Sequence, residues 1–462
     1  MLNKRYLLPF GSVLGAALLG FLFSQPDKPL VAGGPIVPGD VAWMLTASGL
    51  VMLMTPGLSF FYGGMVRSKN IISTMLQSLV ALGVVSLLWV IVGFSLCFGD
   101  SLGGEGWGLI GNPFTFFMLN HVNGSTHPTL SPTIPLALFA LFQLKFAIIT
   151  PALVTGSFAE RVRFTAYLVF IVLYVLVIYS PVAHWTWHPN GFLRNLGVLD
   201  YAGGTVVHLT AGVAALAGAL FLGKRKDPEL NGTHTPANIP YVILGTGMLW
   251  FGWFGFNAGS ALAANESAVM AFLTTNTASA AAMLAWIFLD GLRGQRPSAL
   301  GACIGAVVGL VAITPAAGFV TVGASMLIGV VAAIVSNYAV HWKGKTTLDD
   351  TLDVFPCHGV GGISGVILTG IFAQNVGLMY GETQTFLYHL LAIVIVGGYS
   401  FVGAWALFWL VNKFIPLRVS AEQELLGLDI SQHGESYHPE LQPQAKNVFF
   451  GMTYSEERRY EL

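Results

Sequence analysis

Apolar runs of about 20 residues recur along nearly all of this 462-residue chain, and only short polar gaps separate them. A helix of about 20 apolar residues is long enough to span the hydrocarbon core of a bilayer. Charged residues make up 9% of the chain, against about 25% in an ordinary soluble domain. The pattern therefore predicts one all-α polytopic membrane domain in place of several soluble domains.

Eleven membrane spans are predicted for the mature chain, and together they place the membrane domain at residues 33–412. Residues 413–462 are polar and charged, which predicts a cytoplasmic tail. The predicted spans are 42–64, 71–98, 134–157, 164–183, 203–222, 239–262, 268–290, 298–316, 318–340, 359–376 and 386–411.

The N-terminal segment 1–32 has the pattern of a secretory signal peptide. Lys4 and Arg5 precede an apolar stretch from Tyr6 to Phe23, and small and polar residues follow. We therefore predict that this segment is removed from the mature protein. An uncleaved first helix is the alternative.

The loops between the spans predict the orientation of the chain, because Lys and Arg gather in cytoplasmic loops. Alternate loops carry eleven basic residues, whereas the intervening loops carry only Arg194. The amino end is therefore expected outside, and the tail inside, a multi-pass protein of the plasma (inner) membrane. The eleven residues are Arg67, Lys69, Arg161, Arg163, Lys224, Arg225, Lys226, Arg293, Arg296, Lys343 and Lys345.

Several classes of function lack their usual sequence signals. The net charge is −1 with no long basic stretch, so nucleic acid is not an expected partner. The three cysteines show no CxxC spacing and HExxH does not occur, so no metal site and no metal-dependent membrane enzyme are expected. No phosphate-binding glycine loop is present, and no cofactor is predicted.

One sequence pattern occurs twice. Asp200–His208 and Asp350–His358 each place an aspartate eight positions before a histidine, at the start of an apolar helix. The two helices are five spans apart, and an odd offset inverts the topology. The pattern predicts an inverted repeat of five plus five helices with one final helix, and both histidines near the midplane. Two separate core histidines are the alternative.

Long motifs along nearly the whole chain resemble those of the ammonium transporter family, called Amt or Mep and related to Rh proteins. The resemblance implies a bacterial Amt-type protein that is not an enzyme and that conducts ammonium or ammonia through a hydrophobic pore in each subunit of a homotrimer. The motifs are FFYGGMVRSKN at 60–70, FQLKFAIITPALVTGSFAERVRF at 142–164, VAHWTW at 182–187, DYAGGTVVH at 200–208, GWFGFNAGSALAANESA at 252–268, DDTLDVFPCHGVGGISGVILTGIFA at 349–373 and GLDISQHGESY at 427–437.

The resemblance implies an outer cation site formed by Trp187, Ser260 and Phe142. An aromatic face attracts a cation, and a serine oxygen can accept one of its N–H groups. The stretch around Trp187 is about one residue longer than in the family, so Trp185 competes for the same role. A tryptophan that only anchors the protein at the membrane interface is a further alternative.

Below this site the resemblance implies two stacked rings, Phe146 and Phe256, that close the pore to water and hydrated ions. His208 and His358 correspond to the paired histidines of the family. Two neutral imidazoles that share one bridging proton offer a route for a proton released by ammonium, while ammonia crosses as a neutral molecule.

Two acidic residues are expected to support these sites. Asp200 and Asp350 can each cap a helix, and for Asp200 we favour structure and long-range electrostatics over direct contact with the solute. Thr314 and Asn257 are lesser candidates, and both can equally satisfy helix backbone groups. Lys145, a charge within an apolar helix, has no assigned role.

The tail motif suggests that the protein is regulated by a partner, and it leads to an alternative function. The segment at 427–437 resembles regulated family tails, which implies a cytosolic PII-type nitrogen-signalling partner. An ammonium sensor that signals through such a partner is the alternative function. Within transporters, an Rh-type protein that moves ammonia or carbon dioxide is the alternative to the Amt type.

Overall fold

The computed structural model describes residues 7–23, 29–31, 33–103, 107–226 and 235–438. Helices dominate, and we number the main ones in chain order. They are α1 (Leu7–Phe23), α2 (Pro38–Met65), α3 (Ser68–Phe98), α4 (Leu136–Ser157), α5 (Phe164–Trp187), α6 (Gly204–Leu222), α7 (Ile239–Gly259), α8 (Glu266–Leu292), α9 (Ala299–Ile313), α10 (Val322–Lys343), α11 (Phe355–Phe372), α12 (Thr383–Phe414) and α13 (Ala421–Leu426).

Ten of the helices in the described ranges are long and apolar enough to cross a membrane, all except α1, α9 and α13. Their ends lie within four residues of the predicted spans, and the largest difference is at span 359–376, which forms as Phe355–Phe372. The predicted all-α polytopic fold is therefore confirmed. No side chain of α1, which lies in the predicted signal segment, is buried.

The predicted span 298–316 forms only a short helix, so the count of eleven complete spans is not confirmed. α9 has 15 residues, which reach about 22 Å, whereas the hydrocarbon core is about 30 Å thick. Every residue from Cys303 to Ile313 is buried. Because α9 is enclosed by other helices, its length is not set by the thickness of the bilayer.

The connection between α3 and α4 contains two small antiparallel ribbons. Strand β1 (Ser101–Leu102) pairs with β2 (Ile110–Gly111), and β3 (Thr126–His127) pairs with β4 (Ser131–Pro135). A short helix, Phe192–Leu196, lies in the connection between α5 and α6. These segments cover the end of the bundle at which α3 and α5 finish.

The opposite end carries buried ion pairs between loops that are distant in sequence. Glu160 bonds Arg67 at 2.7 Å and Arg225 at 2.8 Å, while Asp349 bonds Arg161 and Arg225 at 3.0 Å each. Burial raises the pKa of Asp349, but the two guanidinium groups outweigh it and lower the pKa to about 2. The loops that follow α2, α4, α6 and α10 thus meet at one face, which we call the basic face.

The described part of the tail is docked onto the basic face. The Asp429 carboxylate accepts hydrogen bonds from the backbone N–H groups of Ile72 at 3.1 Å and Ser73 at 2.7 Å. The backbone N–H of Leu428 donates to the Asn70 side-chain oxygen at 2.8 Å. The tail therefore satisfies donors at the first turn of α3. The last residues of the chain, 439–462, lie outside the described residues.

Asp200 caps the start of α6. Its carboxylate accepts hydrogen bonds from the backbone N–H groups of Gly203 at 2.7 Å, Gly204 at 2.6 Å and Thr205 at 2.8 Å, and from the Thr205 hydroxyl. The first turns of the helix, Gly204–Leu209, are π-helical. A side-chain acceptor is needed here because the first N–H groups of a helix have no partner within it.

The start of α11 repeats this arrangement. The Asp350 carboxylate accepts from the backbone N–H groups of Val354 at 3.1 Å and Phe355 at 2.7 Å, and the first turns, Phe355–Val360, are again π-helical. Asp350 lies at the basic face, whereas Asp200 lies at the opposite end of the bundle. The two aspartate-capped helices therefore enter the protein from opposite sides, as the repeated sequence pattern predicts.

We expect Asp200→Ala to destabilise the protein by on the order of 2–4 kcal/mol, because it leaves several buried N–H groups without an acceptor. Thermal unfolding of the purified protein in detergent measures the change. Asp100→Ala is the control, since Asp100 is exposed and, among the described residues, its carboxylate accepts one hydrogen bond, from the Thr115 hydroxyl at 3.2 Å. Equal unfolding temperatures for the two variants would contradict the capping role.

A second prediction concerns the pH dependence of tail docking. Burial raises the pKa of Asp429 to about 6, although the N–H groups of Ser73 and Ile72 act in the other direction. Docking is therefore stabilised when this carboxyl is protonated, and that contribution is lost as pH rises through about 6. Asp429→Asn should remove this part of the pH dependence.

A nitroxide at Ser436→Cys reports the mobility of the tail, and labelling is selective because the three native cysteines are buried. Burial lowers the pKa of His433, which gives a pH dependence of opposite sign, and Glu435 adds to the raised pKa of Asp429. The difference between wild type and Asp429→Asn isolates the aspartate. If the two pH profiles of mobility coincide, the assigned role of Asp429 is wrong.

Candidate functional site

A cavity of about 490 Å³ opens at the end of the bundle away from the basic face. Four residues of interest line it, namely Phe146, Trp187, Asp200 and Ser260. They come from α4, from the end of α5, from the cap of α6 and from the residue after α7. We call this cavity the vestibule. It brings together residues from across the sequence, since its lining runs from Phe98 to Phe319.

The two competing tryptophans occupy different places. Trp187 lines the vestibule, and its indole N–H donates to the Asp200 carbonyl at 3.1 Å. Trp185 instead donates to the Leu109 carbonyl at 2.6 Å, and its ring packs against Phe192. The geometry therefore favours Trp187 as the aromatic wall, and Trp185 holds the β2 strand against α5.

The other two residues of the predicted outer site differ in exposure. Ser260 lines the vestibule, and its hydroxyl donates to the Phe256 carbonyl at 2.8 Å, which leaves its oxygen lone pairs for a donor in the cavity. Phe142 is fully buried and packs edge to face on Phe146, with ring centroids 5.0 Å apart. Among the described residues, the vestibule wall does not include Phe142.

The neighbouring residue, Gln143, lines the vestibule and was missed by the sequence analysis. Its side-chain carbonyl oxygen is buried and has no hydrogen-bond partner among the described residues. A free acceptor of this kind suits the N–H groups of a cation. The signal in the sequence was a polar amide within the apolar motif FQLKF.

Two rings close the bottom of the vestibule. The centroids of Phe146 and Phe256 are 4.3 Å apart, and both side chains are buried. Phe146 also meets Trp187 edge to face at 5.5 Å. The predicted gate residues are therefore in contact with each other and with the aromatic wall above them.

The paired histidines lie directly beyond these rings. The Nδ1 atoms of His208 and His358 are 3.3 Å apart, and the ring centroids are 5.4 Å apart. A contact between two Nδ1 atoms at hydrogen-bond distance requires one proton between them, since one nitrogen must donate and the other accept. His208 and His358 share a narrow apolar space with residues such as Leu249 and Val307.

A tryptophan supports the pair from the side. Trp253 stacks on His208 with centroids 5.3 Å apart, and its indole N–H donates to the Thr314 hydroxyl at 2.9 Å. Asn257 donates from its amide to the Thr275 hydroxyl at 2.8 Å. The Thr314 hydroxyl also donates to the Leu310 carbonyl at 2.7 Å and so satisfies a helix backbone group, whereas the Asn257 side-chain oxygen is buried and has no hydrogen-bond partner among the described residues.

Beyond His358 a second small space continues towards the basic face, where it is lined by Tyr62, Leu352 and Cys357. A continuous series of parts therefore runs through the protein, namely the vestibule, the paired rings, the paired imidazoles and this inner space. Asp350, fully buried at the inner end, contacts backbone groups of α11. Lys145 is half-buried in α4, and it forms no hydrogen bond or ion pair with a described residue that would explain its position.

The described residues contain no group of three or more His, Cys, Asp or Glu side chains that could hold a metal ion. The site consists instead of aromatic rings, two imidazoles and a few neutral acceptors. Such a lining can bind a small cation by its N–H groups, strip its water and accept its proton.

Comparison with known proteins shows the family to which this chain belongs. A sequence model of the Ammonium Transporter Family matches residues 42–438. A "Putative ammonium transporter" of Methanothermobacter thermautotrophicus is 47% identical over 408 residues, which cover 86% of this chain and 98% of that protein. An "Ammonium transporter" of Bacillus subtilis is 45% identical over 409 residues, which cover 86% and 98%. These names describe transporters and not enzymes.

Solved structures show the same fold. The crystal structure of Saccharomyces cerevisiae Mep2 has a TM-score of 0.81 and 36% identity, and the match covers 88% of this chain and 94% of Mep2. A protein described as "Sensor Amt Protein" has a TM-score of 0.77 and 32% identity, with 86% and 98% covered. This chain is a multi-pass membrane protein that belongs to the ammonium transporter family.

Proposed function

We propose that this protein transports ammonium in four steps, with a separate part of the pore for each. The vestibule recruits the cation, the ring gate removes its water, the proton leaves, and ammonia crosses past the paired imidazoles. The observation that carries the proposal is the 3.3 Å contact between the Nδ1 atoms of His208 and His358 in an apolar passage.

Recruitment depends on the neutral lining of the vestibule. The ring of Trp187 offers a face for cation–π attraction, which is worth about 0.5–2 kcal/mol depending on how far the cation is desolvated. The oxygens of Ser260 and Gln143 can accept N–H groups of ammonium. Phe142, which packs behind Phe146, contributes by supporting that ring.

Deprotonation follows from the cost of burying a charge. A cation that passes Phe146 and Phe256 loses its hydration, and the apolar space beyond offers no carboxylate to compensate it. Ammonium can avoid this cost because it can give up a proton and continue as neutral ammonia. Potassium has the same charge but no proton to release, so the same passage rejects it.

The imidazole pair supplies a path for the released proton. Each neutral ring has one donor and one acceptor nitrogen, so a proton that enters at one ring can leave from the other after the bridging proton shifts. The stacked Trp253 holds the His208 ring in this position. We propose that the net result is one charge moved with each ammonia.

We propose that the basic face is cytoplasmic and the vestibule faces outward, which satisfies the distribution of Lys and Arg in the loops. Residues 1–32 then act as a signal peptide, 33–412 as the membrane domain and 413–462 as the cytoplasmic tail, in the plasma (inner) membrane. We also propose a homotrimer with one pore in each subunit. Nitrogen uptake is the corresponding physiological role.

An ammonium sensor is the second candidate, and one structural neighbour is described as a sensor protein. The tail described here is docked against the loops that surround the inner end of the pore, through Asp429 and Leu428. That position suits control of transport by a bound PII-type protein, with transport as the primary function.

Ammonium-evoked current in proteoliposomes tests the transport mechanism. His208→Ala or His358→Ala should lower the current by at least about tenfold, because the proton path is broken. His208→Glu should admit an intact cation and give a potassium current. Ser260→Ala is the control, and it should weaken recruitment without admitting potassium.

The opposite pattern would refute the proposal. If both histidine variants kept the wild-type current and full rejection of potassium, while Ser260→Ala lost that rejection, the vestibule would be the filter. If wild-type protein gave no current above that of protein-free liposomes, transport itself would be wrong.

A second experiment addresses the partner. Deletion of all residues after Leu425 removes the segment that contacts α3, and it should abolish co-purification of a PII-type protein while the helix bundle stays folded. Deletion after residue 438 is the matched control and should retain binding. Equal recovery of the PII-type protein with both truncations would exclude the docked tail segment as its binding site.

A further inference from the structure

An arginine stands at the entrance of a site that recruits a cation. Arg194 is the one basic residue in the loops on the vestibule side, and it lies in the short helix Phe192–Leu196. Its side chain lines the same cavity as Trp187 and Ser260. A positive side chain in this place opposes the arrival of another positive charge.

The geometry fixes this charge close to the aromatic wall. The Arg194 guanidinium donates to the backbone carbonyl of Trp187 at 2.7 Å. The carbonyl belongs to the last residue of α5, where a helix has unpaired carbonyl groups. Arg194 therefore has a structural reason for its position, and its charge is brought near the cation site as a consequence.

No ion pair with a described residue holds Arg194, although the Asp200 carboxylate lines the same cavity and its negative charge attracts a cation. Among the described residues that line the vestibule, Arg194 and Asp200 are the two with charged side chains. The Asp200 oxygens are occupied by backbone N–H groups and by the Thr205 hydroxyl. Arg194 forms no ion pair with any described residue, and its side chain is exposed to the cavity and to solvent.

On the basis of the proposed transport function, we propose that Arg194 sets the affinity of the vestibule by repelling the incoming ammonium. Two unit positive charges about 8 Å apart in a largely aqueous cavity repel each other enough to weaken binding by on the order of two- to fivefold. The interaction is screened by salt, because the Debye length falls from about 30 Å at 0.01 M to about 3 Å at 1 M ionic strength. A weakly held cation then leaves the vestibule readily for the gate.

Two variants separate the charge from the hydrogen bond. Arg194→Gln removes the charge but keeps an N–H donor for the Trp187 carbonyl, whereas Arg194→Lys keeps the charge. The half-saturating ammonium concentration is measured from currents in proteoliposomes, at about 0.01 M and about 0.5 M ionic strength set with an impermeant salt. If Arg194 only held Trp187 in place, the difference in half-saturating concentration between Arg194→Gln and the wild type would be the same at both ionic strengths.

We expect Arg194→Gln to lower the half-saturating concentration by two- to fivefold at low ionic strength, with the difference lost at high ionic strength. Arg194→Lys should follow the wild type in both solutions. The inference is overturned if Arg194→Gln has no effect at low salt, if its effect persists at high salt, or if Arg194→Lys shifts as Arg194→Gln does. In each of those cases a current from the wild-type protein still supports the transport function. If the wild-type protein gives no current, both the transport function and this inference are wrong.

Discussion

The cost of placing polar and charged groups in an apolar interior governs both the fold and the pore of this protein. Each backbone N–H group that a helix leaves unpaired needs an acceptor, and Asp200 and Asp350 supply acceptors at the starts of α6 and α11. Those two helices carry His208 and His358 in their first, π-helical turns. The caps thus fix the register in which the two imidazoles meet.

The same cost explains the asymmetry between the two ends of the bundle. At the basic face, Glu160 and Asp349 neutralise arginines from distant loops, and the docked tail adds a further carboxylate, Asp429. Each of these contacts joins two groups of the protein itself. At the vestibule, by contrast, the Gln143 side-chain oxygen has no hydrogen-bond partner and Arg194 has no ion-pair partner among the described residues.

Much of the fold could be predicted, because the length and hydropathy of a span follow from the bilayer itself. The spans that face lipid were placed within a few residues, whereas α9 is enclosed by protein and is shorter than any bilayer requirement. The pairing of His208 with His358 was predictable from two equal spacings after an aspartate and an odd number of intervening spans. Spacing alone could not place side chains on the pore wall.

Three positions show that limit. Trp185 and Trp187 are two residues apart, and only the path of the chain after α5 decides which one faces the vestibule. Phe142 and Gln143 are neighbours that point about 100° apart around α4, and their spacing in the motif does not say which one faces the cavity. The contact of Arg194 with Trp187 depends on the fold of the loop between α5 and α6, so it was not predictable from the sequence.

The central claim is that ammonium gives up its proton at the ring gate and that the proton moves through the imidazole pair. A solvent isotope effect tests this most directly, with ammonium-evoked current compared in H₂O and D₂O at matched acidity. A viscosity control in H₂O with sucrose accounts for slower diffusion. If proton transfer limits transport, the current falls in D₂O by clearly more than the viscosity control. In the proposed mechanism this proton transfer limits transport, so equal decreases in D₂O and in the viscosity control would contradict it.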